Sequence, residues 1–146
     1  MTGIFQLLNN EIVRISIFSW FIAQTLKVAL VLVKEKKLDF SRMIGSGGMP
    51  SSHSALVTAM TTSLGIKTGW TSPITGMATL VALIVMYDAA GVRRAAGEQA
   101  ELLNKIVNEI YQGKFKEERL KELIGHTPKE VFAGAILGLV IAFLIA

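Results

Sequence analysis

The sequence predicts an all-α, multi-pass transmembrane helical bundle of about four spans with a cytoplasmic amphipathic helical segment. Three observations predict it. Hydrophobic residues make up 51% of the 146-residue chain against 18% charged, and the mean hydropathy is +0.50. The apolar residues are gathered into long runs of the kind a bilayer core demands. The charges fall between those runs. A single domain over residues 1–146 is expected, with residues 91–125 as an amphipathic cytoplasmic insertion. Cysteine is absent, which excludes disulfides and thiolate metal sites. The net charge of +4 comes without a recognition motif or interleaved aromatics, so no nucleic-acid partner is expected. The N-terminus lacks the charged region and small-residue cleavage site of a signal peptide, so the first apolar run should remain as an anchor.

Residues 1–14 carry Ile4, Phe5, Leu7 and Leu8 ahead of Asn9-Asn10, a pattern suited to an interfacial helical turn. Ile15–Val33 is the first span, long enough at about 1.5 Å rise per residue. It contains Lys27, and Lys34 follows two turns later on the same face. An ionisable residue inside a span is a functional candidate, although a lysine near a span end also snorkels to the headgroups. Ser54–Ile66 is short and rich in Ser and Thr, which suits packing against other helices. Lys67 to Pro73 reads as a tight turn with Trp70 as an interface anchor. The third span runs from Ile74 to about Tyr87. Ala95–Tyr111 is amphipathic, with Leu102, Leu103, Ile106, Val107 and Ile110 at helical spacing. Lys114–Ile124 is a second, more charged helical piece. Val131–Ala146 is the last span, and Gly134 and Gly138 give it a small-residue face for close helix contact.

Two stretches carry the chemistry. Gly45, Gly47 and Gly48 lead through Pro50, Ser51 and Ser52 to His53 at the start of the second span. A glycine loop feeding a helix N-terminus converges backbone N–H groups and partial positive charge, a setting that suits phosphate. An ordinary helix start with a serine cap accounts for the same residues. The second stretch is His126-Thr-Pro-Lys-Glu130. Thr127 and Glu130 have the spacing of a capping box, with Pro128 at the first helical position.

Two spans separate His53 from His126, so the two lie on one side of the membrane whichever way the chain is inserted. Lys34, Lys36, Lys37 and Arg42 share that side with Arg93, Arg94, Lys105, Lys114, Lys116, Arg119, Lys121 and Lys129, against Arg14 and Lys67 opposite. The positive-inside rule therefore puts the histidines at the cytoplasmic face of the cell membrane and both termini outside. Two histidines on a basic face suit phosphoryl transfer: one attacks phosphorus, the other protonates the leaving oxygen, and lysine or arginine stabilises the developing charge.

At this point the residues resemble a family. Gly47-Gly48-Met49-Pro50-Ser51-Ser52-His53 resembles the Pro-Ser-Gly-His element of the type 2 phosphatidic acid phosphatases, which are related to the vanadium haloperoxidases. Gly125-His126-Thr127-Pro128-Lys129-Glu130, continuing to Gly134, resembles their last element. With Asp88-Ala-Ala-Gly-Val-Arg93-Arg94-Ala-Ala-Gly-Glu98 between them, the whole chain looks most like the divergent branch of that superfamily. The resemblance implies His126 as nucleophile, Glu130 as its orienter and His53 as general acid. It implies phosphate binding by Lys27, Lys34, Gly47, Gly48, Ser51 and Ser52. Arg93 and Arg94 stand in for the Ser-Arg pair of the family, whose place holds Arg119-Leu120, and Asp88 is a supporting residue. Ser52 replaces a glycine, Glu130 an aspartate, and Lys34-Glu35 an Arg-Pro pair.

The expected function is hydrolysis of a phosphomonoester or diphosphate, of a membrane lipid in particular, through a phosphohistidine. No cofactor and no metal is expected, and self-association into a homo-oligomer suits the small-residue faces. Two other readings use the same residues: a non-catalytic protein that binds a phosphorylated lipid or anion, and a small transporter with Lys27 and Asp88 along its path.

Overall fold

The protein is described by a computed structural model that covers residues 2–36, 48–110, 120 and 125–146. Helix α1 is Thr2–Leu8, α2 Glu11–Glu35, α3 Ser52–Thr68, α4 Pro73–Ala90, α5 Val92–Ile110 and α6 Pro128–Ile145. Among the described residues there is no strand. Helices α2, α3, α4 and α6 start where the sequence offers a cap. The Asn10 carboxamide accepts the N–H groups of Ile12 and Val13 at 3.0 and 3.3 Å, which separates α1 from α2. Ser51 caps α3. Pro73 stands at the start of α4 behind Ser72, and Thr127 caps α6.

The structure extends several of the expected elements. α3 begins at Ser52 because Ser51 takes the cap, so His53 stands inside the first turn. α4 runs on to Ala90, which places Asp88 in its last turn. Gly91 (φ −106°, ψ −89°) then turns the chain, and α5 starts at Val92, so Arg93 and Arg94 are helical. Of the expected piece Lys114–Ile124 only Leu120 lies within the described residues. Its backbone N–H and carbonyl pair with the Asn104 carboxamide of α5 at 3.1 and 3.0 Å.

Among the described residues three helical runs are long and apolar enough to cross a membrane: Glu11–Val33, Pro73–Ile110 and Pro128–Ile145. α3, shorter and more polar, sits in the middle of them, packed against α2, α4 and α6. The chain is therefore a multi-pass helical bundle threaded on α3. Its interior is made of small residues: Ala23, Ala55, Ala59 and Ala142 are fully buried, with Ser19 and Ser63. Large apolar side chains such as Leu80, Ile84, Phe132, Ile136 and Leu144 point outward. That inside-out distribution is what a lipid solvent permits, since burying leucine gains nothing over exposing it to hydrocarbon.

The helices are joined instead by close approach and by hydroxyl-to-carbonyl bonds. Ser19 of α2 donates to the Ala55 carbonyl at 3.1 Å. Thr58 of α3 donates to Ala135 of α6 at 3.1 Å, and Thr61 to Ala78 of α4 at 3.1 Å. Gly134 lies against the Ser51 carbonyl, and Gly138 against the Ala55 carbonyl and the Thr58 hydroxyl, leaving no room for a side chain at either. Among the described helices α5 packs only on α4.

Candidate functional site

One end of α3 gathers the residues singled out in the sequence. Ser51 accepts the Ser54 N–H at 3.3 Å and the Ser54 hydroxyl at 3.0 Å, and its own N–H donates to the Glu130 carbonyl at 3.0 Å. The start of α3 is thereby tied to the first turn of α6. Ser52 is buried beside it. Its hydroxyl accepts a long hydrogen bond, 3.5 Å, from the ammonium of Lys27. Lys27 is 2% exposed, so its charge lies inside the bundle rather than among headgroups. Gly48 lies over the Lys27 side chain in a left-handed conformation, φ +84°, where a residue with a side chain is strained.

His126 approaches from the other side. It stands in the loop before α6, and its backbone N–H donates to the Ala89 carbonyl at 3.0 Å. The preceding Gly125 rests directly on the backbone of Arg93 and Arg94, with no space for a β-carbon. The corner between α4 and α5 is thus a shelf on which the histidine loop sits. From that shelf Arg93 ion-pairs with Asp88 at 2.5 Å. Arg94 pairs with Glu98 at 3.0 Å one turn along an exposed face.

The imidazole of His126 is 2% exposed, and neither ring nitrogen has a hydrogen-bond partner among the described residues. Burial pushes its pKa from the ordinary 6.5 to about 4, and the positive charge of Lys27 pushes the same way. The Glu130 carboxylate opposes the shift, while His53 and Arg93 add to it. His126 is therefore neutral at physiological pH, with a lone pair on one ring nitrogen, and the buried Lys27 is the strongest charge acting on it. A neutral, desolvated imidazole beside cations is equipped to receive an anion and to attack it.

His53, half-buried in the first turn of α3, completes the cluster. Glu130 closes the capping box: its carboxylate accepts the Thr127 N–H at 2.7 Å, and its own N–H donates to the Thr127 hydroxyl at 3.4 Å. Lys27, Ser52, His53, Arg93, Glu130 and His126 are thus brought together. Arg94 is directed along the outer face of α5 with Glu98. Gly47 and the Lys34 side chain lie outside the described residues. Among the described residues no group of three His, Asp or Glu is placed to hold a metal ion.

Two participants were not singled out in the sequence, Ala89 through its carbonyl and Gly125 through its missing side chain. The only sequence signals are the small residues after Asp88 and a glycine directly before the histidine.

Comparison with known proteins agrees with this arrangement of motifs. No solved structure matches the chain. An uncharacterized membrane protein of Bacillus subtilis (strain 168), YuiD, is 39% identical over 97% of this chain and 97% of its own length. The model of the Divergent PAP2 family matches residues 8–141, from the end of α1 to the last turns of α6 and across both histidine motifs, and the chain belongs to that family.

Proposed function

We propose that the protein is a membrane phosphatase acting on a phosphomonoester or diphosphate of a lipid, with His126 as nucleophile. The observation that carries this reading is the buried, neutral, unpartnered imidazole of His126 under the influence of the buried Lys27 ammonium. In the first step a ring nitrogen of His126 bonds to phosphorus as the phosphorus–oxygen bond to the leaving group breaks. His53 gives its proton to the departing oxygen, and the negative charge of a bound phosphate favours the protonated form that this role needs. Lys27 and Arg93 hold the equatorial oxygens. In the second step water attacks the phosphohistidine, His53 takes its proton, and phosphate leaves with both histidines restored. The basic loops argue for a site on the cytoplasmic face.

The test is phosphate release by purified protein in detergent on phosphatidic acid, phosphatidylglycerol phosphate and polyprenyl diphosphates, with His126→Ala as the control. Release by the wild type and a loss of more than about a thousandfold in the variant are expected for a lost nucleophile. Equal release by both proteins overturns the assignment.

A second reading, a binding protein for a phosphorylated lipid, is favoured by Glu130. Its carboxylate is engaged at Thr127, and no described residue hydrogen-bonds the His126 ring. Retention of phosphatidic acid by wild type and His126→Ala alike, without turnover by either, would establish it.

A further inference from the structure

A cleft of about 650 Å³ opens between α4 and α6, lined by Leu83, Ile84, Met86, Tyr87, Val131, Phe132 and Ala135. It forms because both helices pack on α3 and meet one another only slightly. Its position is set by the site. Tyr87 directly precedes Asp88 and the Ala89 carbonyl that holds His126, and Val131 directly follows Glu130. On each helix the cleft therefore begins at the residue next to the histidine site, and it runs along about one turn of each, roughly 6 Å. All of its lining residues are apolar apart from the Tyr87 hydroxyl, and both helices belong to membrane-spanning runs.

We infer that this cleft seats one hydrocarbon chain of a phosphorylated lipid whose phosphate lies against His126, and that the lipid enters sideways from the bilayer between α4 and α6. The inference rests on the proposed function and adds the path of the substrate. An apolar cleft that begins beside the buried Lys27 and His126 site complements an amphiphile with an anionic head. The surrounding bilayer is itself apolar, so the cleft does not attract the chain by the hydrophobic effect. It fixes the direction in which the chain leaves the phosphate, and so aligns the phosphorus with the imidazole.

The test compares two substrates that share a phosphomonoester: dioleoyl phosphatidic acid in mixed micelles and water-soluble p-nitrophenyl phosphate. Ala135→Trp fills the cleft, whereas Ile136→Ala trims an exposed apolar side chain of the same helix outside it. Ala135→Trp should lower kcat/KM on the lipid by at least about tenfold, a loss of alignment, and leave that on the soluble ester within about twofold. Ile136→Ala should keep the lipid rate. An equal fall on both substrates, or no fall on either, overturns the inference. So does a wild-type dimer that Ala135→Trp converts to monomers with lipid turnover intact, which would give the cleft to a second copy. A wild type that hydrolyses neither substrate sinks the catalytic reading alone. Phosphatidic acid with a photoreactive diazirine in its acyl chain then decides on the cleft: labelling of α4 and α6 that Ala135→Trp removes supports it, and labelling elsewhere overturns it.

Discussion

At the scale of residues, what separates His126 from an ordinary buried histidine is the lack of a partner. A core histidine hydrogen-bonds through at least one nitrogen; here both are unpartnered among the described residues. The consequence for stability has a definite sign. The pKa lies below its unfolded value, about 4 against 6.5, so the folded state binds fewer protons between those limits. Stability from this group is fully present above pH 6.5 and is lost as the pH falls toward 4. Thermal midpoints in detergent should be level from pH 8 to about 6.5 and decline below it. The decline should be shallower in His126→Asn, where His53 and the carboxylates still titrate but the most buried imidazole is gone, and equal slopes would show that the His126 imidazole is solvated.

The same scale shows where sequence reading stops. His126, His53 and Lys27 could be picked out because each is a charged or titratable residue at the margin of an apolar run. Arg93 and Arg94 could not be told apart, since neighbouring residues on a helix point about 100° apart and only the position of the α4–α5 corner decides which one turns toward Asp88. Glu130 satisfied two patterns at once, and hydrogen bonds rather than spacing show the cap. Ala89 and Gly125 act through the backbone, between segments far apart in the chain, and backbone approach leaves no mark in a pattern of side chains.

At the scale of elements, the contact between α3 and α6 fixes the site, because it ties the turn carrying His53 to the one following His126. Gly134 and Gly138 make it possible. Adding a methyl group at either should cost about 1–3 kcal/mol by overpacking against the α3 backbone, read as a lower melting temperature for Gly134→Ala and Gly138→Ala. At Gly76 of α4 nothing lies within 4 Å of the place a β-carbon would take; Gly76→Ala should be neutral or mildly stabilising, as expected of an exposed helical glycine. If all three behaved alike, helix propensity and not the α3–α6 contact would account for the result. The small-residue spacing of α6 was readable in advance, whereas its partner was not, because α3 shows the same Ser and Thr on every side.

At the scale of the whole molecule, the fold class followed from composition and the clumping of apolar residues. Ser54–Ile66 was likewise readable as a short span packed against other helices, and α3 does pack on α2, α4 and α6; which helices surround it was not readable, because its Ser and Thr lie on every side. If α3 crosses the bilayer with the other three, the N- and C-termini lie on the same side, opposite the two histidines, and the proposed orientation makes that side the outside. Alkaline phosphatase fused at either end should then be active and green fluorescent protein dark. The reverse pattern would place the site on the outer face.

The hydrogen bond from His126 to Ala89 has a consequence for how this architecture can vary. The chain departs from the bundle at Ala89 and rejoins it at the same spot, so everything between is a detour whose two ends are already stitched together. Lengthening or trimming this detour beyond Arg94 costs only the slowly growing entropy of a closed loop, and the contacts among α2, α3, α4 and α6 are indifferent to it. Relatives can therefore drift in length and charge there while Arg93 and the candidate site keep their places, and new attachments to the cell can be tried on that detour without disturbing the residues beneath it.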